Sequence, residues 1–356
     1  MLLVGCQAKS AADQGPHGDD TAYLQAQFDA LKPGDTLKLD PRVYHHSQVL
    51  TIRTPNVTID GNGAILTATN DATSAVDVLG DDTTITNVTF TAPTQGKRWM
   101  GEQQHKLVVK GQRAAISNVT VVGSAGAGIY LSGAEHFVIH DVSIRGTRAD
   151  GLHMTGGSAY GDVENIKTDQ TGDDGVSVVS YNHDPAPCHD ITEKNIAVGS
   201  SRARGITVVG GNNVDISHFS VANTSAAGLY VASEGDPYFT QSVDHVTMSD
   251  GSVTGANWDP SIELGAIAVY AGNVGQHVRD VSISNITVTA TSPAVNRNVA
   301  IIDDMSPPAD ELRNISLSDI RLVNTRVAPF FTNAPDGSYT LTNWMLDGKP
   351  LEVSSI

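Results

Sequence analysis

Five short segments, each opened by a glycine, recur along this chain at nearly constant spacing. They are Gly128-Ile-Tyr-Leu, Gly151-Leu-His-Met, Gly175-Val-Ser-Val, Gly205-Ile-Thr-Val and Gly228-Leu-Tyr-Val, with steps of 23, 24, 30 and 23 residues. The long step holds Tyr181-Asn-His-Asp-Pro-Ala-Pro-Cys188, a turn-rich insertion. A second series of alternating segments runs out of phase with the first, at Phe137-Val-Ile-His, Val214-Asp-Ile-Ser, Val278-Arg-Asp-Val and Leu312-Arg-Asn-Ile. Each repeat thus contains a glycine-led strand, a turn and a further strand. One unit cannot bury its apolar face alone, whereas stacked units share a continuous inner column.

The period predicts an all-β, single-domain right-handed parallel β-helix of roughly ten to twelve coils, with neighbouring strands about 4.8 Å apart. Abundant glycine (34 residues) and few aromatics (5%) suit short strands joined by tight turns. Asp20-Thr21 is placed to open a short capping helix carrying Tyr23, Leu24, Phe28 and Leu31 over the first coil, and Pro33-Gly-Asp-Thr-Leu-Lys-Leu to begin strand pairing. Asn56, Asn87 and Asn118, each followed by Val-Thr, are expected to be turn residues rather than glycosylation sites.

Alternation assigns faces. Ile129, Leu152, Val176, Ile206 and Leu229 point inward. Tyr130, His153, Ser177, Thr207 and Tyr230 line up outside, one per coil, as a shallow track suited to an extended polymer. Insertions at 181–190 and 234–262 are expected to wall it.

Asp150 precedes Gly151 as Asp174 precedes Gly175, and Asp173 adjoins Asp174. Three carboxylates therefore gather at one edge of the track, where crowding raises the pKa of at least one. A protonated acid beside an ionised base is what glycosidic cleavage requires. An isolated Gly-Asp-Asp-Gly is otherwise an ordinary turn. The Asp303-Asp304 pair is read that way. Arg148, Arg202 and Arg204 are placed to hold these acids or an anionic sugar, and His153 to orient a carboxylate or sugar hydroxyl. Glu102, Glu234 and Glu263 are further loop-borne acids.

The stretch from Asp150 to Ser180 resembles glycoside hydrolase family 28, the polygalacturonase-like β-helix enzymes. Their N-T-D-G and, one coil later, G-D-D patterns correspond to Arg148-Ala-Asp150-Gly151 and Gly172-Asp173-Asp174-Gly175. The resemblance implies Asp173 as general acid, Asp150 and Asp174 positioning and deprotonating water, and inversion at the anomeric carbon. The outward stripe and its flanking arginines, rather than the resemblance, supply the candidate substrate-binding residues Tyr130, Arg148, His153, Ser177, Arg204, Thr207 and Tyr230. Arg204 stands where the family has the histidine of G-H-G, and Tyr230-Val-Ala where it has R-I-K. The latter departure argues against polygalacturonate as substrate.

The net charge of −17, with 22 Lys+Arg, argues against a nucleic-acid partner. It also disfavours a strongly polyanionic substrate unless arginines are concentrated locally. No stretch is long and apolar enough to span a bilayer. Met1-Leu-Leu-Val-Gly-Cys6 resembles the bacterial lipoprotein box, which implies lipidation of Cys6, a truncated signal and tether over residues 1–19, and a β-helix domain over residues 20–356. A lipid-anchored or secreted extracytoplasmic monomer is expected. The other cysteine, Cys188, leaves no disulfide framework. No metal-ligand spacing is found, and His45-His46 is expected at the surface. There is no Walker loop, dinucleotide fingerprint or nucleophile elbow.

The first expectation is a glycoside hydrolase acting on a neutral or weakly charged polysaccharide. The alternatives are a polysaccharide lyase or uronate epimerase, where calcium would neutralise the uronate, and a non-catalytic glycan-binding β-helix.

Overall fold

The computed structural model describes residues 18–305 and 311–353. Cys6 lies outside them, as do residues 7–17 of the expected tether. Asp19 belongs to the folded body, where it accepts a bond from the Thr21 amide at 2.9 Å and another from the Ser47 hydroxyl.

The described strands form two sheets, of 16 and 11 strands, whose pairings are parallel except for one antiparallel pair at the C-terminal end. The 11-stranded sheet takes one short strand from each coil, so the stack has eleven coils. Its register places Ile129 beside Leu152, Leu152 beside Val176, Val176 beside Ile206 and Ile206 beside Leu229. All five are fully buried in the inner column. Burying each such side chain contributes about 1.5–3 kcal/mol.

The leading glycines recur because the coils touch there. A Cβ on Gly151 would lie 2.5 Å from the Gly175 carbonyl oxygen, and one on Gly205 would lie 2.4 Å from that of Gly228. Any larger residue would push the coils apart.

The second sheet explains the out-of-phase series. Its strands include Val138–Thr147, Ala159–Asp169, His189–Val198 and Gly211–Ala222. Each bends at a residue of positive φ: Asp141, Asn165, Asn195 and His218 in turn. Asn and Asp tolerate this left-handed conformation best among residues with a side chain. Their side chains also link coils, with Asn165 Nδ2 donating to Asp141 Oδ1 and Asn195 Nδ2 to Asn165 Oδ1, each at 3.1 Å. Asn56, Asn87 and Asn118 also have positive φ, as expected of turn asparagines.

The helix Thr21–Asp29 covers the first coil with Leu24 and Phe28. Asp20 does not cap it, because its carboxylate is taken by Arg42 at 2.9 Å and the His45 amide at 2.9 Å. His46 is buried rather than superficial, held by Lys106 Nζ at 2.8 Å and the Gln48 carbonyl at 2.9 Å.

Candidate active site

The turn leading into each short strand sets an acid or base at the same corner of successive coils. Asp150, Asp174 and Arg204 each immediately precede a stacked glycine. The coils are tied by one repeated bond. Asp150 Oδ1 accepts from the Asp174 amide at 2.9 Å, and Asp174 Oδ1 accepts from the Arg204 amide at 2.8 Å. Gly172 brings Asp173 close, since a Cβ there would strike the Arg148 backbone at 2.5 Å. Oxygens of Asp150, Asp173 and Asp174 consequently lie within 4.8 Å of one another.

The three acids have different surroundings. Asp174, its side chain only 2% exposed, accepts Arg204 Nε at 2.9 Å and the Thr207 hydroxyl at 3.0 Å. Asp150 Oδ2 pairs with His153 Nδ1 at 2.5 Å. Asp173 is the most open of the three, at 22%, and meets Arg98 Nη1. Burial pushes Asp173 up to about 7, helped by the charges of Asp150 and Asp174 and opposed by Arg98 and Arg204. Burial also acts upward on Asp150, but His153, Arg98 and Arg204 outweigh it and hold this carboxyl below its ordinary value. One carboxyl is thus kept protonated near neutrality beside one kept ionised, a division suited to general acid–base work.

The expected outer stripe is in register: Tyr130, His153, Ser177, Thr207 and Tyr230 are successive lateral neighbours. It is not an open track. Ser177 and Thr207 are fully buried, Tyr230 is nearly so, and polar neighbours consume their hydroxyls or rings. Ser177 Oγ meets His153 Nδ1 at 2.9 Å, Thr207 serves Asp174, and the Arg204 guanidinium sits 4.8 Å over the Tyr230 ring. These three form a floor beneath the acids. Tyr130 remains partly exposed, stacked between His105 at 4.1 Å and His153 at 5.4 Å. His105 accepts the Ala127 amide at Nδ1, and burial followed by His153 lowers it to about 4.

Arg148 is also placed differently from expectation. Its guanidinium grips Asp71 at 2.6 and 3.0 Å and the carbonyls of Pro93 and Lys97 at 2.8 and 2.9 Å. It fastens the 93–98 loop and touches none of the three acids. Arg204 bridges Asp174 to Glu234 Oε1 at 2.7 Å, so Glu234 joins the site while Glu102 and Glu263 pair with Lys110 and Arg297. Asp304 accepts the Tyr270 hydroxyl at 2.8 Å, and Asp303 ends a strand.

Sequence reasoning missed Arg98 altogether. It lies 75 residues from Asp173, in a loop with no repeat signal. Tyr181 was seen only as part of an insertion. It packs beside Val179, Val209 and Tyr230 and walls the floor. The expected insertion at 234–262 is two loops separated by the strand Val243–Thr254.

No curated protein matches the chain. Residues 74–244 match the family model described as right handed beta helix region. The fold is a right-handed parallel β-helix. Among solved structures, the chain is similar to a catalytic domain of GH87 alpha-1,3-glucanase in complex with nigerose, at 15% identity and TM-score 0.74 over 94% of this chain and 64% of that one. It is similar to the Agl-KA catalytic domain, at 17% and 0.73 over 94% and 64%. It is also similar to the Azotobacter vinelandii mannuronan C-5 epimerase AlgE6 A-module, at 12% and 0.65 over 92% and 95%. The chain therefore spans about 64% of the length of the first two of these domains. At these identities the likeness is one of fold. The family 28 assignment receives no support: the solved structures named here are glucanase and epimerase domains.

Proposed function

We propose that this β-helix is a glycoside hydrolase acting on a polysaccharide, with Asp173 as general acid. The observation that carries the reading is the three-acid corner, where the most exposed carboxyl is also the one pushed toward neutrality. Asp173 gives its proton to the glycosidic oxygen as the anomeric C–O bond breaks. Asp150, held ionised beside His153, takes a proton from the water that attacks the anomeric carbon. Asp174 has both oxygens engaged and positions Arg204 and the Asp150 turn.

Three of the glucanase structures support the assignment. Each carries one aspartate replaced by alanine, in complex with nigerose or tetrasaccharides. The three replaced positions are an adjacent pair and one aspartate 23 residues before it. Asp150, Asp173 and Asp174 have the same spacing.

The family resemblance implies inversion, yet the 4.8 Å grouping of oxygens is tighter than the roughly 6.5–9.5 Å usual between carboxyls of inverting pairs. The anomeric configuration of the first product, followed by proton NMR, distinguishes the two outcomes. The reading itself is tested by incubating the protein with α- and β-glucans, alginate and pectic polymers and separating the products. Saturated oligosaccharides with new reducing ends are expected. An ultraviolet-absorbing unsaturated product overturns hydrolysis in favour of a lyase.

The likeness to the mannuronan epimerase module favours an epimerase or lyase as the second reading. Calcium at the three acids would have to compete with Arg98 and Arg204, which already pair with Asp173 and Asp174. Activity that survives a chelator fits the hydrolase. The lipoprotein box supports placing the enzyme outside the cytoplasm, anchored at Cys6, which palmitate labelling of cells expressing the Cys6→Ser variant would test.

A further inference from the structure

A cavity of about 710 Å³ runs past three successive turns, lined by Thr147-Arg148, Thr171-Gly172 and Ser201-Arg202 just ahead of Asp150, Asp173 and Arg204. Arg98, Arg145, Arg148, Arg202, Asn223 and Trp258 are among its lining residues. Four guanidiniums in one groove are unexpected in a chain of net charge −17. Two of them are committed, Arg98 to Asp173 and Arg148 to Asp71. The other two are exposed and, among the described residues, have no acid partner. The acid in register with Arg145 is Asp169, which bonds the Ser200 hydroxyl at 2.7 Å instead.

Arg145 and Arg202 flank the Thr171-Gly172 turn from the coils on either side, about 10 Å apart along the stack at two coil spacings. Trp258 also lines the groove. Its indole Nε1 donates to the Asn223 carbonyl at 3.4 Å, which tethers one edge and leaves the ring 50% exposed. An amphipathic ring beside paired guanidiniums is suited to a sugar bearing an anionic group.

We propose that this groove is a subsite for an oxyanion-bearing sugar, carboxylated or sulfated, in the polysaccharide that the three-acid corner cleaves. The proposal rests on the hydrolase reading for the identity of the ligand as a glycan. It also specifies where the charge must sit. An anion at the scissile linkage would face Asp150, Asp173 and Asp174, whereas one in the groove faces Arg145 and Arg202. The substrate class is therefore a sparsely charged glycan rather than a uniform polyanion, and the local arginines reverse the repulsion of an acidic surface.

The test is binding, measured by affinity electrophoresis with glucuronoxylan, its carboxyl-reduced form, carrageenan and its desulfated form. Wild type is expected to bind one acidic polymer about tenfold more tightly than that polymer's neutralised form, as two partly exposed charge-assisted pairs allow. Which polymer shows the preference tells carboxylate from sulfate. The Arg145→Ala/Arg202→Ala protein, checked for an unchanged circular dichroism melt, is expected to bind both forms of that polymer equally. Equal binding of acidic and neutralised forms by wild type, no binding of either acidic polymer, or a preference that survives the double substitution overturns the proposal. Binding does not require the acids to turn over. If Asp150→Asn, Asp173→Asn and Asp174→Asn all keep wild-type hydrolysis, the catalytic reading fails while the charge preference is still measured.

Discussion

Arg98 reaches from the 93–98 loop to the carboxylate of Asp173, across 75 residues of sequence, and opposes the upward push that burial and two neighbouring acids exert on it. Of the two cations that offset burial and the neighbouring acids at this carboxyl, Arg98 and Arg204, Arg98 has the larger effect. A general acid acts while protonated, and burial pushes Asp173 up to about 7, so the proposed role predicts that kcat/KM falls as pH rises through neutrality. Replacing Arg98 by Met removes the opposing charge. The alkaline limb should then move up by about one pH unit, toward the low end of what a nearby opposite charge does to a carboxyl. A limb that stays in place separates Arg98 from the acid.

Arg148 should influence the same limb without touching the acid. It ties Asp71 to the carbonyls of Pro93 and Lys97 and so fixes the loop that carries Arg98. Arg148→Met is expected to cost roughly 2–3 kcal/mol of stability, less than for a fully buried pair because Asp71 is 26% exposed. Urea denaturation measures the loss. A pH–rate profile should show the same alkaline shift as Arg98→Met, which a purely structural role would not produce.

The three acids should fail differently. Each Asp→Asn substitution is expected to lower turnover of the natural polymer by roughly a hundred- to ten-thousand-fold with the fold intact. Asp173→Asn alone should be largely rescued by an aryl glycoside whose leaving group needs no proton. Asp150→Asn should not be rescued. Steady-state rates on the two substrate types decide this.

Glu193 predicts a pH dependence of stability unrelated to catalysis. It is fully buried, both its carboxylate oxygens lack a partner, and burial raises it to about 8. The folded state therefore binds a proton that the unfolded chain releases above about pH 4.5. This contribution is whole below that pH and is lost as pH rises toward 8, at about 1.4 kcal/mol per unit. In Glu193→Gln that slope should disappear. Denaturation curves of both proteins at several values between about pH 5 and 8 check the difference.

The architecture was legible because its constraint is periodic. Stacked glycines and alternating inward residues report the same contact in every coil, so Asp150 and Asp174 could be aligned without coordinates. What the period cannot report is what loops bring in from outside it. Arg98, Tyr181 and the Arg148–Asp71 clasp arise from insertions, and no spacing rule couples them to the acids. The open track was overestimated for a related reason. Alternation says only that Ser177 and Thr207 leave the core, and the Asp174, Arg204 and His153 side chains then close over them. Glu193 occupies an inward position between Val163 and Ile216 in neighbouring coils, so aligning the second series residue by residue would have exposed it.

The most direct measurement is the release of new reducing ends from a polysaccharide panel by wild type and by Asp150→Asn, Asp173→Asn and Asp174→Asn, each shown to be folded. Release by wild type from at least one polymer, reduced at least about a hundredfold in every variant, is the predicted result. Undiminished release by all three variants, or no release by wild type from any polymer, would contradict hydrolysis at this corner.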